Sequence, residues 1–338
     1  MFNTKQKISL CLMVFLLNFI TPLYATDKPY YIFSGNANKA LAQTIAFQLR
    51  TPLGNMQLTH YSDGEVNIKI NENIKNKTVF IIQSTCKGNN LTMNDSVMEL
   101  YLLARELKRN GAKRITAVVP YLGYTQQDKK DSNFAPLASS DIAYLLEQTG
   151  LNAIITIDLH NPEIQGFFHY VSLENIQASA ITAPYFANFA LKNPAIVGLH
   201  SNGMLRAESF KKELLKIGVN SELAMAIIKS SDNGSTRETN IIGKIKGKDA
   251  IIIDDRCDTG TNLIETAKTL KQAGALNIYA AVTHPLLSDN ALEKLAGSEI
   301  KEIVITDTIP IEQKLPPNIK QLSVAPMLAE LIRSMNNE

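Results

Sequence analysis

The stretch Ile251-Ile252-Ile253-Asp254-Asp255-Arg256-Cys257-Asp258-Thr259-Gly260-Thr261-Asn262 constrains this chain more than any other. Three β-branched apolar residues read as a buried strand, and the polar run after them as a loop. From Leu263 the spacing Leu263, Ala267, Leu270 opens a helix, with Asn262 or Thr261 at its N-cap. Loop amides and the helix dipole suit a phosphate. Two adjacent carboxylates at a strand end suit the paired hydroxyls of a sugar, or a hydrated Mg2+. Together they describe a pocket for a sugar phosphate. The alternative is an ordinary strand-loop-helix junction with acidic residues for solubility.

From Tyr30 onward, strand and helix patterns alternate with short connections, which predicts an α/β sheet fold. Strands are expected at 30–34, 79–83, 115–119, 153–157, 196–199, 251–253, 278–282 and 303–305, with helices at 39–49 and 97–108. An internal echo points to two similar domains: residues 107–119 align with residues 270–282 at the helix end, at Gly111 and Gly274, and at the inward-facing strand positions. A glycine at a helix-to-strand junction also arises by convergence, because a C-cap favours it anywhere.

The length of 338 residues accommodates two such domains, since a single core stops growing near about 250–300 residues. Lys and Arg number 34 against 32 Asp and Glu, and Lys5 and Lys7 supply the whole excess. No basic run or basic helix face stands out, so no nucleic-acid partner is expected. Residues 1–25 do not read as part of the fold. Lys5 and Lys7 precede an almost unbroken apolar run from Ile8 to Ile20, and Pro22-Leu23-Tyr24-Ala25 suits a cleavage point. That is a secretory signal peptide pattern, too short for a stable membrane span. It predicts an exported protein, periplasmic or secreted, with no membrane anchor after cleavage. If the segment is an uncleaved extension or follows a misassigned start, the protein is cytoplasmic. Past Cys11 only Cys86 and Cys257 remain, so no disulfide framework is readable.

The 251–262 segment resembles the phosphoribosyl-pyrophosphate loop of type I phosphoribosyltransferases and of ribose-phosphate pyrophosphokinases. Across residues 29–335 the resemblance is to the pyrophosphokinases. It is carried by Tyr61-Ser62-Asp63-Gly64-Glu65, Ile70-Asn71-Glu72-Asn73, Ile81-Ile82-Gln83-Ser84-Thr85-Cys86 and Asn94-Asp95. It continues through Pro120-Tyr121-Leu122-Gly123-Tyr124, Asp158-Leu159-His160 and Ile164-Gln165-Gly166-Phe167-Phe168. It ends with Ala280-Ala281-Val282-Thr283-His284-Pro285, Asp307-Thr308-Ile309-Pro310 and Met327-Leu328-Ala329-Glu330. The resemblance implies two phosphoribosyltransferase-like α/β domains, each a mostly parallel sheet flanked by helices. They would span 29–172 and 173–338, with a terminal helix at 326–335 packing back on the first. It also implies Mg2+-dependent transfer of the β,γ-pyrophosphoryl group of ATP onto the 1-hydroxyl of ribose 5-phosphate. The product would be phosphoribosyl pyrophosphate for nucleotide biosynthesis, and the enzyme a homo-oligomer, a dimer-based hexamer.

By that resemblance Asp254 and Asp255 hold the ribose, while Asp258, Thr259, Gly260, Thr261 and Asn262 line its phosphate. Asn262 stands where the family usually has Ser or Thr. Tyr61, Asp63 and Glu65 form the adenine-gripping loop, supplied from a neighbouring subunit. Gln126, Gln127 and Asp128 fall in the ATP-side segment, and His160 is the Mg2+ ligand. A Walker P-loop is absent, because Gly247-Lys248 is followed by Asp249 rather than Ser or Thr.

The departures from the family pattern fall mainly on the phosphate-transfer side. Gln126 replaces an ATP-binding Arg, and His200 replaces an Asp near ribose and metal, which makes His200 a second metal-side candidate. In a shortened catalytic loop after Ala226-Ile227-Ile228, Ser230 falls on the catalytic Lys and Asp232 on the transition-state Arg. Lys229 and Arg237 are the candidate catalytic substitutes. The effector segment becomes Asp131-Ser132-Asn133-Phe134-Ala135-Pro136, without its two Arg residues. Charge-assisted bonds to phosphate contribute about 1.5–3 kcal/mol each, so transfer is expected to be weakened and the ribose-phosphate pocket better preserved than the triphosphate pocket. Three readings stand: a divergent pyrophosphokinase, a non-catalytic pentose-phosphate-binding or regulatory paralogue, and a transferase-like or phosphohydrolytic activity on the intact ribose pocket.

Overall fold

The computed structural model describes residues 29–88, 90–130, 132, 134–230 and 237–336, with backbone alone at Ser230 and Arg237. The expected signal peptide, Asp232, and Asp131 and Asn133 of the effector segment lie outside the described residues.

Strand β1 (Tyr30–Ser34) leads through α1 (Lys39–Gln48) to a hairpin of β2 (Met56–His60) and β3 (Val66–Ile70). Then come β4 (Thr78–Ile82), α2 (Met93–Arg109), β5 (Arg114–Val119), α3 (Ala138–Glu147), β6 (Ala153–Ile157) and β7 (Ser172–Ile176). The first sheet has the order β1-β4-β5-β6-β7 with every neighbouring pair parallel. Helix α2 begins four residues ahead of the expected position, because Thr92 and Asp95 form a reciprocal capping box at its start.

The second half runs α4 (Ser179–Ala187), β8 (Ala195–Leu199), α5 (His200–Lys216), β9 (Glu222–Ser230), β10 (Arg237–Ile242) and β11 (Ala250–Cys257). It continues with α6 (Thr261–Gln272), β12 (Ile278–Pro285), α7 (Ala291–Ala296), β13 (Glu302–Thr306), β14 (Ile319–Leu322) and α8 (Ala325–Asn336). Its sheet has the order β10-β9-β8-β11-β12-β13-β14, parallel except where β10 turns back on β9. Both sheets are buried on both faces, as parallel sheets must be. Along β1, Ile32 packs toward α1 and Phe33 toward α2; along β11, Ile252 packs toward α6, and Ile251 and Ile253 toward α5.

The echo between the halves is structural. Gly111 and Gly274 both take positive φ, 81° and 89°, at the ends of α2 and α6. Their carbonyls accept from Asn76 N and Gly247 N, at 2.8 and 2.9 Å. Ile74 and Ile245, two residues before those donors, are both buried. The halves are also tied together: Leu328, Ala329 and Ile332 of α8 share one core with Leu41 and Ile45 of α1. Cys86 and Cys257 are free and buried, and burial pushes both thiols up to about 12.

Candidate active site

The order of the second sheet creates the site. From β8 the chain moves outward to β9, and from β11 it moves the opposite way to β12, so β8 and β11 flank a switch point, where a crevice opens beyond the strand ends. Register shows the opening directly. Pairing of β11 with β8 stops at Ile253↔Gly198, while pairing with β12 continues to Cys257↔Pro285. Asp254 and Asp255 are therefore the first residues past the split. They extend the strand, whereas the sequence pattern placed them in the loop; the pairs Asp254↔Val282 and Arg256↔His284 with β12 hold the segment extended.

The chain leaves this strand through Asp258 and Thr259, and Gly260 caps α6 with φ 76° and no side-chain cap. This corrects the expected cap at Thr261 or Asn262. Gly260 brings no side chain to cap α6, and a helix N-terminus suits an anion. A Cβ on Gly260 would sit 3.2 Å from Leu295 Cγ in addition to the positive φ, so the turn needs glycine. The Thr259 and Thr261 hydroxyls meet at 2.9 Å, and Asp258 Oδ1 is buried without a partner. Across the crevice, a Cβ on Gly198 would lie 2.7 Å from Gly203 O. This close approach folds the start of α5 over the end of β8, and His200 takes φ 55° to make the corner.

Asp255 is 3% exposed and sits between Arg206 and His160. Arg206 Nη2 donates to its Oδ1 at 2.6 Å, and His160 Nδ1 meets its Oδ2 at 3.0 Å. Arg206 Nη1 also reaches the carbonyls of Leu159 and His160, at 3.3 and 3.2 Å. One guanidinium thus joins α5, β11 and the segment after β6. Burial alone would raise the Asp255 carboxyl, but Arg206 and then His160 outweigh it and hold the group at about 2. Asp254 is pushed the other way, first by burial and then by the Asp255 charge. The pair thus holds its proton on Asp254 first.

Behind the pair, Asp158 Oδ2 accepts from Thr283 Oγ1 at 2.5 Å and from Ala178 N at 3.2 Å. Burial keeps its carboxyl raised. His284 contacts Ile157 O and Thr308 Oγ1, both at 3.0 Å. Burial lowers its imidazole to about 4, so it is neutral and its Nε2–H donates to the Ile157 carbonyl.

The resulting cleft of about 740 Å³ brings residues 254–263 together with His160, His200, Gln126 and Lys129. Gln127 and Asp128 flank it without lining it. Tyr61, Asp63 and Glu65 occupy the exposed tip of the β2–β3 hairpin, outside the lining. Lys229 is exposed at the end of β9, paired with Glu238 in register, and Arg237 opposes Ser230. Sequence reasoning missed Lys129, Arg206 and Arg256. Arg206 left a legible signal, since it stands one residue from Ala207 on the buried stripe Gly203, Ala207, Phe210, Leu214 of α5. An arginine on such a stripe requires a buried partner.

Residues 30–150 match the family described as the N-terminal domain of ribose phosphate pyrophosphokinase, and residues 216–338 the phosphoribosyl synthetase-associated domain. The chain is similar to a ribose-phosphate pyrophosphokinase of Marinomonas sp. (strain MWYL1), 37% identical over 310 residues, covering 91% of this chain and 96% of that protein. A Helicobacter hepaticus ribose-phosphate pyrophosphokinase is 39% identical over 306 residues, covering 90% and 96%. The crystal structure of phosphoribosylpyrophosphate synthetase from Mycobacterium smegmatis superposes with a TM-score of 0.81 at 30% identity, covering 91% of this chain and 99% of that one. With these similarities along nearly its whole length, the chain belongs to the ribose-phosphate pyrophosphokinase family.

Proposed function

We propose that this protein transfers pyrophosphate from ATP to ribose 5-phosphate, giving phosphoribosyl pyrophosphate, with a weakened transfer step. The observation that carries the reading is the cleft in which Asp254, Asp255 and the start of α6 in one half join His160, Gln126 and Lys129 of the other. The acidic pair takes the ribose hydroxyls, with Asp255, held ionised beside Arg206, as an acceptor. Asp258, Thr259, Gly260, Thr261 and Asn262 surround the 5-phosphate. Transfer of this kind depends on alignment and on neutralising the charge that develops on the phosphates.

Mg2+ is the metal of this reading, arriving with ATP. Among the described residues, no cluster of three or more His, Cys, Asp or Glu is placed to hold a metal. That fits Mg2+, which keeps waters and substrate phosphates as most of its ligands. His160 would supply one nitrogen, its Nδ1 already oriented by Asp255, with His200 on the facing wall.

Lys229 and Arg237 are the loop cations proposed for the transferring phosphates. The hairpin tip with Tyr61, Asp63 and Glu65 stands clear of its own cleft, which suits its delivery to a neighbouring subunit and hence a homo-oligomer. Export by the N-terminal segment belongs to the same reading. No helix among the described residues is long and apolar enough to cross a membrane. A second reading, a non-catalytic pentose-phosphate-binding paralogue, is favoured by one observation: Gln126 lines the cleft where the family has its ATP-binding Arg. Calorimetry with ribose 5-phosphate and MgATP, combined with AMP release from ATP, separates the two. The paralogue would bind the sugar and release no AMP.

A further inference from the structure

Arg256 stands between the acidic pair and the phosphate loop, and neither uses it. The guanidinium that pairs with Asp255 is Arg206, and after burial and the neighbouring carboxylate it is Arg206 that acts on Asp254. Arg256 enters no ion pair among the described residues, and its Nη1 is buried without a hydrogen-bond partner. A buried charged donor without an acceptor is costly, and such a group persists where a ligand completes it.

Its surroundings give the ligand's location. Arg256 lines the cleft shared with Gln126 and Lys129. It also lines a small inner cavity walled by Tyr121, Leu122 and Thr125, the segment that leads into Gln126. Tyr121 registers the charge: burial raises its phenol, and Arg256 is the first influence opposing that rise. The cation thus reaches, from the C-terminal half, the wall on which the family's ATP-binding Arg is replaced by Gln126.

We infer that Arg256 is the phosphate-binding cation on the ATP side of this cleft, taking the role that Gln126 cannot perform. The inference rests on the pyrophosphokinase reading. The ligand class is a nucleotide polyphosphate, whose oxygens accept the paired N–H bonds of a planar guanidinium. Lys129, exposed at the cleft wall, adds a point charge that does not replace this fork.

The test is calorimetry on the full chain with a non-hydrolysable ATP analogue and Mg2+, and separately with ribose 5-phosphate. Arg256→Gln is expected to weaken the analogue roughly 10- to 100-fold, the loss of one charge-assisted contact, and to leave ribose 5-phosphate affinity unchanged. Arg256→Met, of similar length and without the donor, should behave alike. Adding Gln126→Arg to Arg256→Gln should recover most of the loss. Unchanged ribose 5-phosphate affinity also reports that each variant is folded. If either variant binds the analogue as tightly as the natural protein, or if both ligands weaken equally in both variants, the assignment is wrong and the pyrophosphokinase reading stands. If the natural protein binds ribose 5-phosphate and no analogue, both fall together.

Discussion

Replacing Arg206 with Met removes the group on which the acidic pair depends. In the natural protein Asp255 titrates at about 2 instead of its ordinary 3.8. At about 1.4 kcal/mol per pH unit, this shift corresponds to about 2–3 kcal/mol. Asp255 is 3% exposed, so little of that is lost to solvent screening. Arg206→Met also removes donors from the Leu159 and His160 carbonyls. Breaking a buried pair from one side costs about 3–5 kcal/mol, a large share of a net stability of about 5–15 kcal/mol. The pH dependence follows from the direction of the shift. A carboxyl depressed in the folded state contributes its full stability above its unfolded pKa, and that stability is lost as pH falls through the folded value. Urea unfolding should therefore show a gap between the two proteins of about 3–5 kcal/mol near neutral pH, narrowing as pH falls from about 4 toward 2. A gap below about 1 kcal/mol, the range of an exposed pair, or one that does not change with acid, would refute the argument.

Other outcomes follow from the same geometry. Gly260→Val should destabilise the protein by about 1–2 kcal/mol, the strain of positive φ in a residue with a Cβ, and weaken ribose 5-phosphate binding; thermal melts and calorimetry check both. His284 is lowered by burial to about 4 from 6.5, so the unfolded chain takes up its proton first on acidification. Between pH 6.5 and 4 the natural protein should lose about 3 kcal/mol of stability relative to His284→Gln. Ser230→Lys, Asp232→Arg and Gln126→Arg, introduced together, should raise pyrophosphoryl transfer by about 10²–10³, read as AMP release in the presence of ribose 5-phosphate.

Much of the fold was legible because its strands are short β-branched runs and its helices have clear apolar spacing. The missed strands explain themselves. In the hairpin Met56–His60 and Val66–Ile70, polar and apolar residues interleave over a half-exposed ribbon. Strands β7 and β14 lie on sheet edges and carry few apolar residues. Strand β9 alternates Ala with larger residues, which does not separate strand from helix. In the site, Asp254 through Asn262 could be read because the phosphate-loop pattern is local. Arg206, Lys129 and Arg256 could not be placed, because their roles depend on two halves meeting across a cleft. The cap falls before Thr261 and Asn262 for a physical reason: Asn and Thr are good caps, but the positive φ of this turn and its close approach to Leu295 favour glycine one residue earlier.

The most direct test of the central claim is AMP release from ATP by the purified protein, with Mg2+, in the presence and absence of ribose 5-phosphate. Formation of AMP that requires ribose 5-phosphate, yields phosphoribosyl pyrophosphate in equal amount, and is slower than in family members with the full set of loop cations is the predicted result. Tight binding of ribose 5-phosphate with no AMP released would contradict it and leave the chain a pentose-phosphate-binding relative of the enzyme.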